Sequence, residues 1–545
     1  MKKTVVLGLD GGTWKILKPF AEKGYMPTLA KLMKQGVHGN LESTIPNMTA
    51  PSWTTFVTGK NPGKHGLFDF MLPTDTLSDM KFATSDDIRD KTLYEILHEN
   101  GYKPILINLP ASYPPKLKDE ITLTSLLTQG DEWIFPASLK DEFPELKKYR
   151  LTPDESLRLK ERHEEYIEDL LRHMDEQLAV TKRIFKEKPW DFFFYLFSHS
   201  DWVSHMAFDQ LEEKHEPSAR RVFEKIDEYL KWFVDNLPED TNLIMISDHG
   251  FKAYKKIFYF NRWLEQEGYL KTNKAGDDFR GAATRRAKET DKIRAKKKKL
   301  NIGTGAFQVL SKFPPAEKAA KWTYHHIVKP YLPVHIKVNV GIDYSKTKVC
   351  FPKGSYITNG YINKNWVYKD GVVSKEEYPK LRAELVEKIR AIKDDDGNPV
   401  VAKVMTRDEV YGETAPPQAP DIFFELADYW LVGQFHSGSL FGEEVQNKHG
   451  KYGIFVGVGP DFEQNAQVNN LMMQDITPLI LHLLDLPVPS DCDGRVAKEI
   501  FAENSPARSR DVKSGAPSHL TEKSQAKKSQ SEKASIKDAL QQIKI

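Results

Sequence analysis

Cysteine is nearly absent. Cys350 and Cys492 are the only two in 545 residues, which excludes a disulfide framework and a cysteine-built zinc site. Long apolar runs are missing as well, and no stretch approaches the roughly 20 apolar residues of a membrane span. The N-terminal Met-Lys-Lys leads into a short apolar run that meets Asp10 too soon for a secretory signal. Neither sign of charge prevails: 79 basic and 77 acidic residues leave a formal net +2. No general attraction to nucleic acid or to a membrane is therefore expected. Together these absences predict a soluble, reduced protein of the cytoplasm. The length exceeds a typical single domain, so one large domain with insertions, or two domains, is expected.

What is present is an alternation of strand and helix signals. It predicts an α/β fold with a mostly parallel central sheet flanked by helices. Helices are expected from Pro27 to Gln35, Thr92 to Asn100, Pro217 to Leu237 and Ile476 to Leu486, with one or two long amphipathic helices between Leu157 and Phe185. Strands are expected at Ile105-Leu106-Ile107, Asp421-Ile422-Phe423-Phe424 and Ile454-Phe455-Val456-Gly457-Val458. The catalytic domain is read as 1–503, with cap-like insertions near 75–185 and 270–345. The second insertion opens on a basic stretch containing Lys296-Lys297-Lys298-Lys299, read as solvated surface. From about Asn504 to Ile545 the chain turns to Ser, Lys, Glu and Ala with almost no aromatics, which reads as a disordered tail. Within it, Asp538 to Ile545 has the pattern of a short helix.

Three apolar runs stop on an aspartate. Val5-Val6-Leu7-Gly8-Leu9 ends at Asp10, the run Phe192 to Phe197 reaches Asp201 four residues later, and Leu243 to Ser247 ends at Asp248-His249. Such runs read as buried parallel strands, whose carboxyl ends carry the ligands of open α/β sheets. If the three strands share one sheet, their carboxylates meet at one edge, and a cation is needed to hold them together. Asp201 and His205 are spaced i, i+4, which on a helix points both at one ion. His449-Gly450 precedes a further strand. Asp and His ligands without Cys suit zinc or manganese. Thr49, two residues before Pro51, is placed like a helix N-cap, where free amide N–H groups favour a phosphate. Its hydroxyl becomes a nucleophile only when ionised, as by a divalent cation. Taken singly, each feature has an ordinary explanation as a cap, a turn or a solvated helix face; taken in order, they point to one site.

These residues resemble the alkaline phosphatase superfamily, and most closely its type I phosphodiesterase/nucleotide pyrophosphatase branch. A group of predicted prokaryotic phosphohydrolases is closer still, through His65-Gly66-Leu67-Phe68-Asp69-Phe70, Phe260-Asn261-Arg262-Trp263-Leu264, and the closing segment Asp475-Ile476-Thr477-Pro478 through Asp493-Gly494-Arg495. The resemblance spans about residues 4 to 500. It implies two divalent metal ions, with Asp10, Thr49, Asp248 and His249 holding one and Asp201, His205 and His449 the other. It further implies that Thr49 attacks phosphorus in a small phosphorylated substrate, making the protein a metal-dependent phosphoric-ester hydrolase of phosphodiesterase or pyrophosphatase type. A phosphotransferase or mutase, and a non-catalytic binder of phosphorylated ligands, are the alternatives. Nucleotide pyrophosphatases carry an asparagine where this chain has Phe70, so nucleotide specificity does not follow with the metals.

Other candidates are weaker. His199 is read as a supporting or surface residue, His65 as holding the turn after the Thr49 segment, and His436 as a substitute for His449. His325-His326 is read as solvated. Cys350-Phe351-Pro352-Lys353-Gly354 has the outline of a sulfatase signature, but glycine replaces its arginine and the segment lies far from Thr49, so a sulfatase is rejected.

Overall fold

The computed structural model describes residues 2–272, 336–337, 341–352, 359–413, 415–433 and 440–519. Its centre is a nine-stranded sheet. In spatial order the strands are Ala466–Met472, Val37–Glu42, Tyr452–Val458, Thr241–Ile246, Lys3–Leu9, Phe192–Phe197, Pro104–Ile107, Thr122–Leu123 and Ile134–Phe135. Five of the eight pairings are parallel and three antiparallel. The three strands that run toward the aspartates are neighbours, with Lys3–Leu9 in the middle. Thr4 lies opposite both Phe192 and Asn242, so all three strands reach the same edge in register.

Both faces of the sheet are covered, which is why these strands are apolar throughout rather than alternating. Val5, Leu7 and Leu9 point into one core with Phe193, Tyr195 and the helices Pro27–Gln35, His163–Glu187 and Pro217–Asp235. Val6, Phe194 and Ile244 point into the other, with Trp53, Phe56 and the helix Ile476–Leu483. Asp227 ties two of the helices together by accepting the backbone N–H groups of Thr28 and Leu29, each at 2.9 Å, at the positive end of Pro27–Gln35.

A second core lies beside the sheet. The strands Val349–Cys350, Asn359–Ile362, Ile422–Leu426 and Val401–Thr406 form a four-stranded sheet in that order, and Leu381, Leu385 and Ile389 of the helix Tyr378–Arg390 share its core. This unit is larger than the expected 270–345 insertion. It takes in the 422–426 strand, which sequence alternation had assigned to the main fold. Within 75–185, conversely, Pro104–Ile107 is a strand of the central sheet and His163–Glu187 covers it. That stretch is mostly framework rather than cap, because its apolar residues are spent on the central core. Lys296 to Lys299, His325, His326, His436 and Asp538 to Ile545 lie outside the described residues. Among the described residues, no helix is long and apolar enough to cross a membrane.

The chain does not let go at Asn504. Ser505 accepts the Ala507 N–H at 3.1 Å to start the short helix Pro506–Ser509, and Ser514–Gly515 pairs in parallel with Val488–Pro489. The backbone N–H groups of Ser518 and His519 donate to Asp491 at 2.9 and 3.1 Å. Asp491 also pairs at 2.6 Å with the buried Lys60, whose other partner is Asp90. Composition missed this strap because its backbone hydrogen bonds and one small buried apolar residue, Ala507, leave no hydrophobic signature. Truncation after His519 keeps the whole strap. Truncation after Asn504 should cost roughly 2–4 kcal/mol, from a lost cap and polar groups stripped of partners. Equal denaturation midpoints for the two truncations would contradict this.

Candidate active site

The site is built where the three parallel strands end. Asp10 follows the central strand, and Gly11 then turns the chain at φ 66°, a left-handed conformation natural to glycine. The turn lets the Gly11 N–H donate to Asp248 at 3.2 Å, tying two strand ends together. Ser200 donates to the Asp10 carbonyl at 2.7 Å, which ties in the third. Asp201 and His205 lie on the helix His199–Lys214, as their spacing predicts, and this helix kinks at Ala207. His449 arrives differently: it sits in its own strand, Gln446–Gly450, antiparallel to Gly250–Tyr254, with Phe251 opposite.

Thr49 departs from its expected role. Met48 is the N-cap, and Thr49 is the first residue of the helix Thr49–Thr58, whose cap carries no side-chain hydrogen bond. The threonine hydroxyl is thereby left to face the site, 3.5 Å from Asp10 Oδ1 and 3.4 Å from His249 Nε2.

All seven residues singled out from the sequence converge here. Asp201 Oδ1 lies 3.4 Å from both His205 Nε2 and His449 Nε2, and those two nitrogens are 3.1 Å apart. His249 Nε2 is 3.5 Å from Asp10 Oδ1 and 3.3 Å from Asp248 Oδ2. The rings of His249 and His449 stack with centroids 3.6 Å apart. Among the described residues, two groups have the spacing of metal ligands: Asp201 with His205 and His449, and Asp10 with Asp201 and His249. Asp201 belongs to both, whereas the sequence reading gave it to one ion only.

The hydrogen bonds around the histidines decide what can occupy the gap. His205 Nδ1 faces the Asn447 carbonyl at 3.2 Å, His449 Nδ1 the Asn47 carbonyl at 3.2 Å, and His249 Nδ1 the Gly250 carbonyl at 3.1 Å. A carbonyl can only accept, so each Nδ1 carries the proton and each Nε2 turns a lone pair inward. Burial lowers His205 and His449 to about 3 and His249 well below its ordinary value, so a proton does not bridge the facing nitrogens. Burial and the neighbouring acids raise Asp10 and Asp248 well above the usual carboxylate range. Among the described residues, one buried oxygen on each of Asp201 and Asp248 has no hydrogen-bond partner. Inward lone pairs and orphaned carboxylate oxygens are a donor set that fits divalent cations.

The sequence profile of the type I phosphodiesterase / nucleotide pyrophosphatase family matches residues 4–326. The chain belongs to this family. It is a phosphoric-ester hydrolase of a metal-dependent kind. Among curated proteins, no sequence matches it significantly. Solved structures share its fold at low identity. Murine ectonucleotide pyrophosphatase/phosphodiesterase 5, an inactive variant in complex with AMP, is 13% identical with a TM-score of 0.51, over 92% of this chain and 100% of that one. Phosphonoacetate hydrolase from Sinorhizobium meliloti 1021, in complex with phosphonoformate, is 14% identical with a TM-score of 0.51, over 87% of this chain and 94% of that one.

Other parts of the phosphodiesterase framework support the Thr49 helix. His65 is buried, with Nε2 3.0 Å from Thr55 Oγ1 and Nδ1 accepting from the Leu67 N–H at 3.2 Å, so it holds the following turn as expected. Gly59 ends the helix at φ 67°. In the closing segment, Asp493 donates its N–H to the Gly59 carbonyl at 2.9 Å, and Asp475 accepts from the Arg495 N–H at 2.8 Å. Asn261 accepts from the Phe351 N–H at 2.9 Å and donates to the Gly433 carbonyl at 2.7 Å, pinning the second unit. His199 is wholly buried against His173 at 2.9 Å, which removes a surface role. Cys350 is buried in the second unit, its thiol raised by burial, far from sulfatase chemistry. The carbonyls of Asn47, Asn447 and Gly250 were invisible to sequence reasoning, since any residue can supply them.

Burial also lowers His65 to about 3. The unfolded ring titrates near 6.5, so its contribution to stability is complete above that pH and is lost as pH falls toward 3. A His65→Asn protein keeps an acceptor for the Leu67 N–H. The stability difference between wild type and this variant should shrink by about 2 kcal/mol between pH 6.5 and pH 5. Urea unfolding at the two pH values checks this, and a constant difference would refute it.

Proposed function

We propose that the chain hydrolyses a phosphoric diester or pyrophosphate in a small substrate, with Thr49 as nucleophile and two divalent cations, zinc foremost and manganese as the alternative. Asp10, Thr49, Asp248 and His249 would hold one cation and Asp201, His205 and His449 the other, with Asp201 within reach of both. When bound, the cations supply the charge that ionises a hydroxyl near neutral pH and offsets charge developing on phosphoryl oxygens. The observation that carries the reading is the Thr49 hydroxyl itself. It stands at a helix N-terminus, takes no part in capping, and faces Asp10 and His249.

Thr49 Oγ1 would form a bond to phosphorus as the bond to the leaving oxygen breaks, and the leaving group would depart as an alcohol or phosphate. Water would then break the Thr49–phosphorus bond and free the side chain. The helix N-terminus would orient the phosphoryl oxygens through its amide N–H groups and dipole. Backbone carbonyls keep His205, His249 and His449 turned inward throughout. The AMP bound to the murine relative and the phosphonoformate bound to the bacterial one support a phosphoryl or phosphonyl ligand at this edge. Phe70 lines the cleft at the asparagine position, so the rest of the substrate is left open to differ. The free cysteines Cys350 and Cys492 suit a reducing compartment, so the cytoplasm is the proposed location.

The test is turnover of an aryl phosphodiester and an aryl phosphomonoester by zinc- or manganese-loaded protein. Preference for the diester is expected. Turnover of neither would sink the reading.

A further inference from the structure

Thr49 and the pair Asp248-His249 come from elements far apart in sequence, the helix Thr49–Thr58 and the turn after the strand Thr241–Ile246. One buried hydroxyl touches both. Ser43 follows the strand Val37–Glu42, where its N–H donates to the Lys451 carbonyl at 2.9 Å. Its Oγ lies 2.5 Å from the Asp248 carbonyl and 2.8 Å from Ser52 Oγ. Ser43 and Ser52 are both buried.

The chemistry of the groups fixes the direction of these bonds. A carbonyl only accepts, so the single Ser43 proton goes to Asp248, and Ser52 must donate to Ser43. The result is one chain, from Ser52 through Ser43 to the Asp248 carbonyl. A hydroxyl within a helix can instead bond back to the carbonyl four residues earlier, as Thr58 does to Thr54 at 2.7 Å. Ser52 spends its proton across the site. It lies three residues beyond Thr49, and residues at i, i+3 are neighbours on one helix face, so the chain grips the face that carries Thr49. The strand end is gripped too: the Gly11 N–H holds Asp248 Oδ1 at 3.2 Å, and Ser247 donates to the His249 carbonyl at 2.6 Å.

We propose that Ser43, through Ser52, is a positioning residue that sets the Thr49 hydroxyl against the strand end bearing Asp248 and His249. Nucleophile and ligands are then in place before substrate arrives. This goes beyond the proposed function and rests on it for the role of Thr49. Ser43 lines the cleft, but its proton is committed to Asp248, so it has none to offer a phosphoryl oxygen. Two hydrogen bonds between neutral groups add only modestly to stability. Misplacing reacting atoms by about 1 Å, by comparison, costs on the order of 10²-fold in rate. The link therefore matters more for turnover than for folding.

The test uses zinc-loaded Ser43→Ala, Ser52→Ala and the double variant, with steady-state turnover of an aryl phosphodiester, elemental analysis and a thermal melt on each. Each single change should lower kcat by about 10- to 10²-fold and leave KM within about threefold of wild type, with metal content as in wild type. Because both changes break the same link, the double variant should be no more than about threefold slower than the slower single one. A purely structural role predicts lower melting temperatures with kcat of the loaded protein unchanged, and that result would overturn the proposal. So would losses that multiply in the double variant, or a fall in kcat matched by loss of metal. Ser52→Ala leaves the bond from Ser43 to Asp248 intact, so it decides alone if Ser43→Ala does not fold. The two readings fail separately. Turnover abolished in Thr49→Ala but untouched by either serine change removes only the positioning role. No turnover in wild type, or turnover that survives Thr49→Ala, removes the nucleophile and the positioning role with it.

Discussion

Thr49→Ala protein should turn over an aryl phosphodiester about 10³- to 10⁶-fold more slowly than wild type, the range seen when an enzyme loses its nucleophile. The loss should fall on kcat, because the missing oxygen acts in the bond-making step rather than in holding the substrate. Thr49→Ser restores an oxygen at the same position and should recover activity to within about 10²-fold of wild type. It lacks the methyl group that fixes the rotamer of a β-branched side chain. Neither change should unfold the protein. The Thr49 hydroxyl makes no cap bond, and its near neighbours are Asp10 and His249 at 3.5 and 3.4 Å, so the stability change should stay within about 1 kcal/mol. Steady-state kinetics with a thermal melt on each variant checks both parts. A Thr49→Ala enzyme within tenfold of wild type would remove Thr49 from the chemistry, whatever the metals do.

Chelation should abolish activity and lower thermal stability together. The second effect follows from the site itself. Without cations, Asp10 is raised by burial and by the neighbouring Asp248 and Asp201, Asp248 is raised by burial and by Asp201, and His205 and His449 face one another with inward nitrogens 3.1 Å apart. A cation that binds only the folded protein stabilises it by about 4 kcal/mol when present at roughly 1,000 times its Kd. Metal content should approach two ions per chain in wild type. In His449→Ala it should fall toward one, with turnover down about 10²-fold or more, because ligands on both Asp201 and His205 lose a shared partner. Elemental analysis of the purified variants and a calorimetric melt with and without chelator provide the measurement. Unchanged metal content in His449→Ala would mean that the histidine from the antiparallel strand does not hold an ion.

Much of this site could be read before the fold was known. The aspartates at 10 and 248 announce themselves because a strand buried on both faces must be apolar until it leaves the sheet, and a carboxylate at or next to the first polar residue marks the exit. Asp201 instead follows its strand by four residues, in the helix His199–Lys214. The i, i+4 spacing of Asp201 and His205 needs only the pitch of a helix. Thr49 was legible as belonging to a helix start, yet its position was misjudged by one residue. Cap identity depends on the backbone angle of Met48, which no side chain reports. The strap over 505–519 was hidden for a related reason, being held by main-chain groups that every residue carries.

Local pattern therefore determined which residues end strands, which share a helix face and which chemistry their side chains permit. Tertiary structure decided who meets whom. It placed Lys3–Leu9 between the other two strands, brought His449 in on an antiparallel partner of Gly250–Tyr254, and set Asp201 between two ligand groups. It also assigned 104–107 to the central sheet and 422–426 to the second. The physical reason is one of range. Periodicity and spacing act over a few bonds, whereas the pairing of strands hundreds of residues apart is settled only when all of them bury their apolar faces at once.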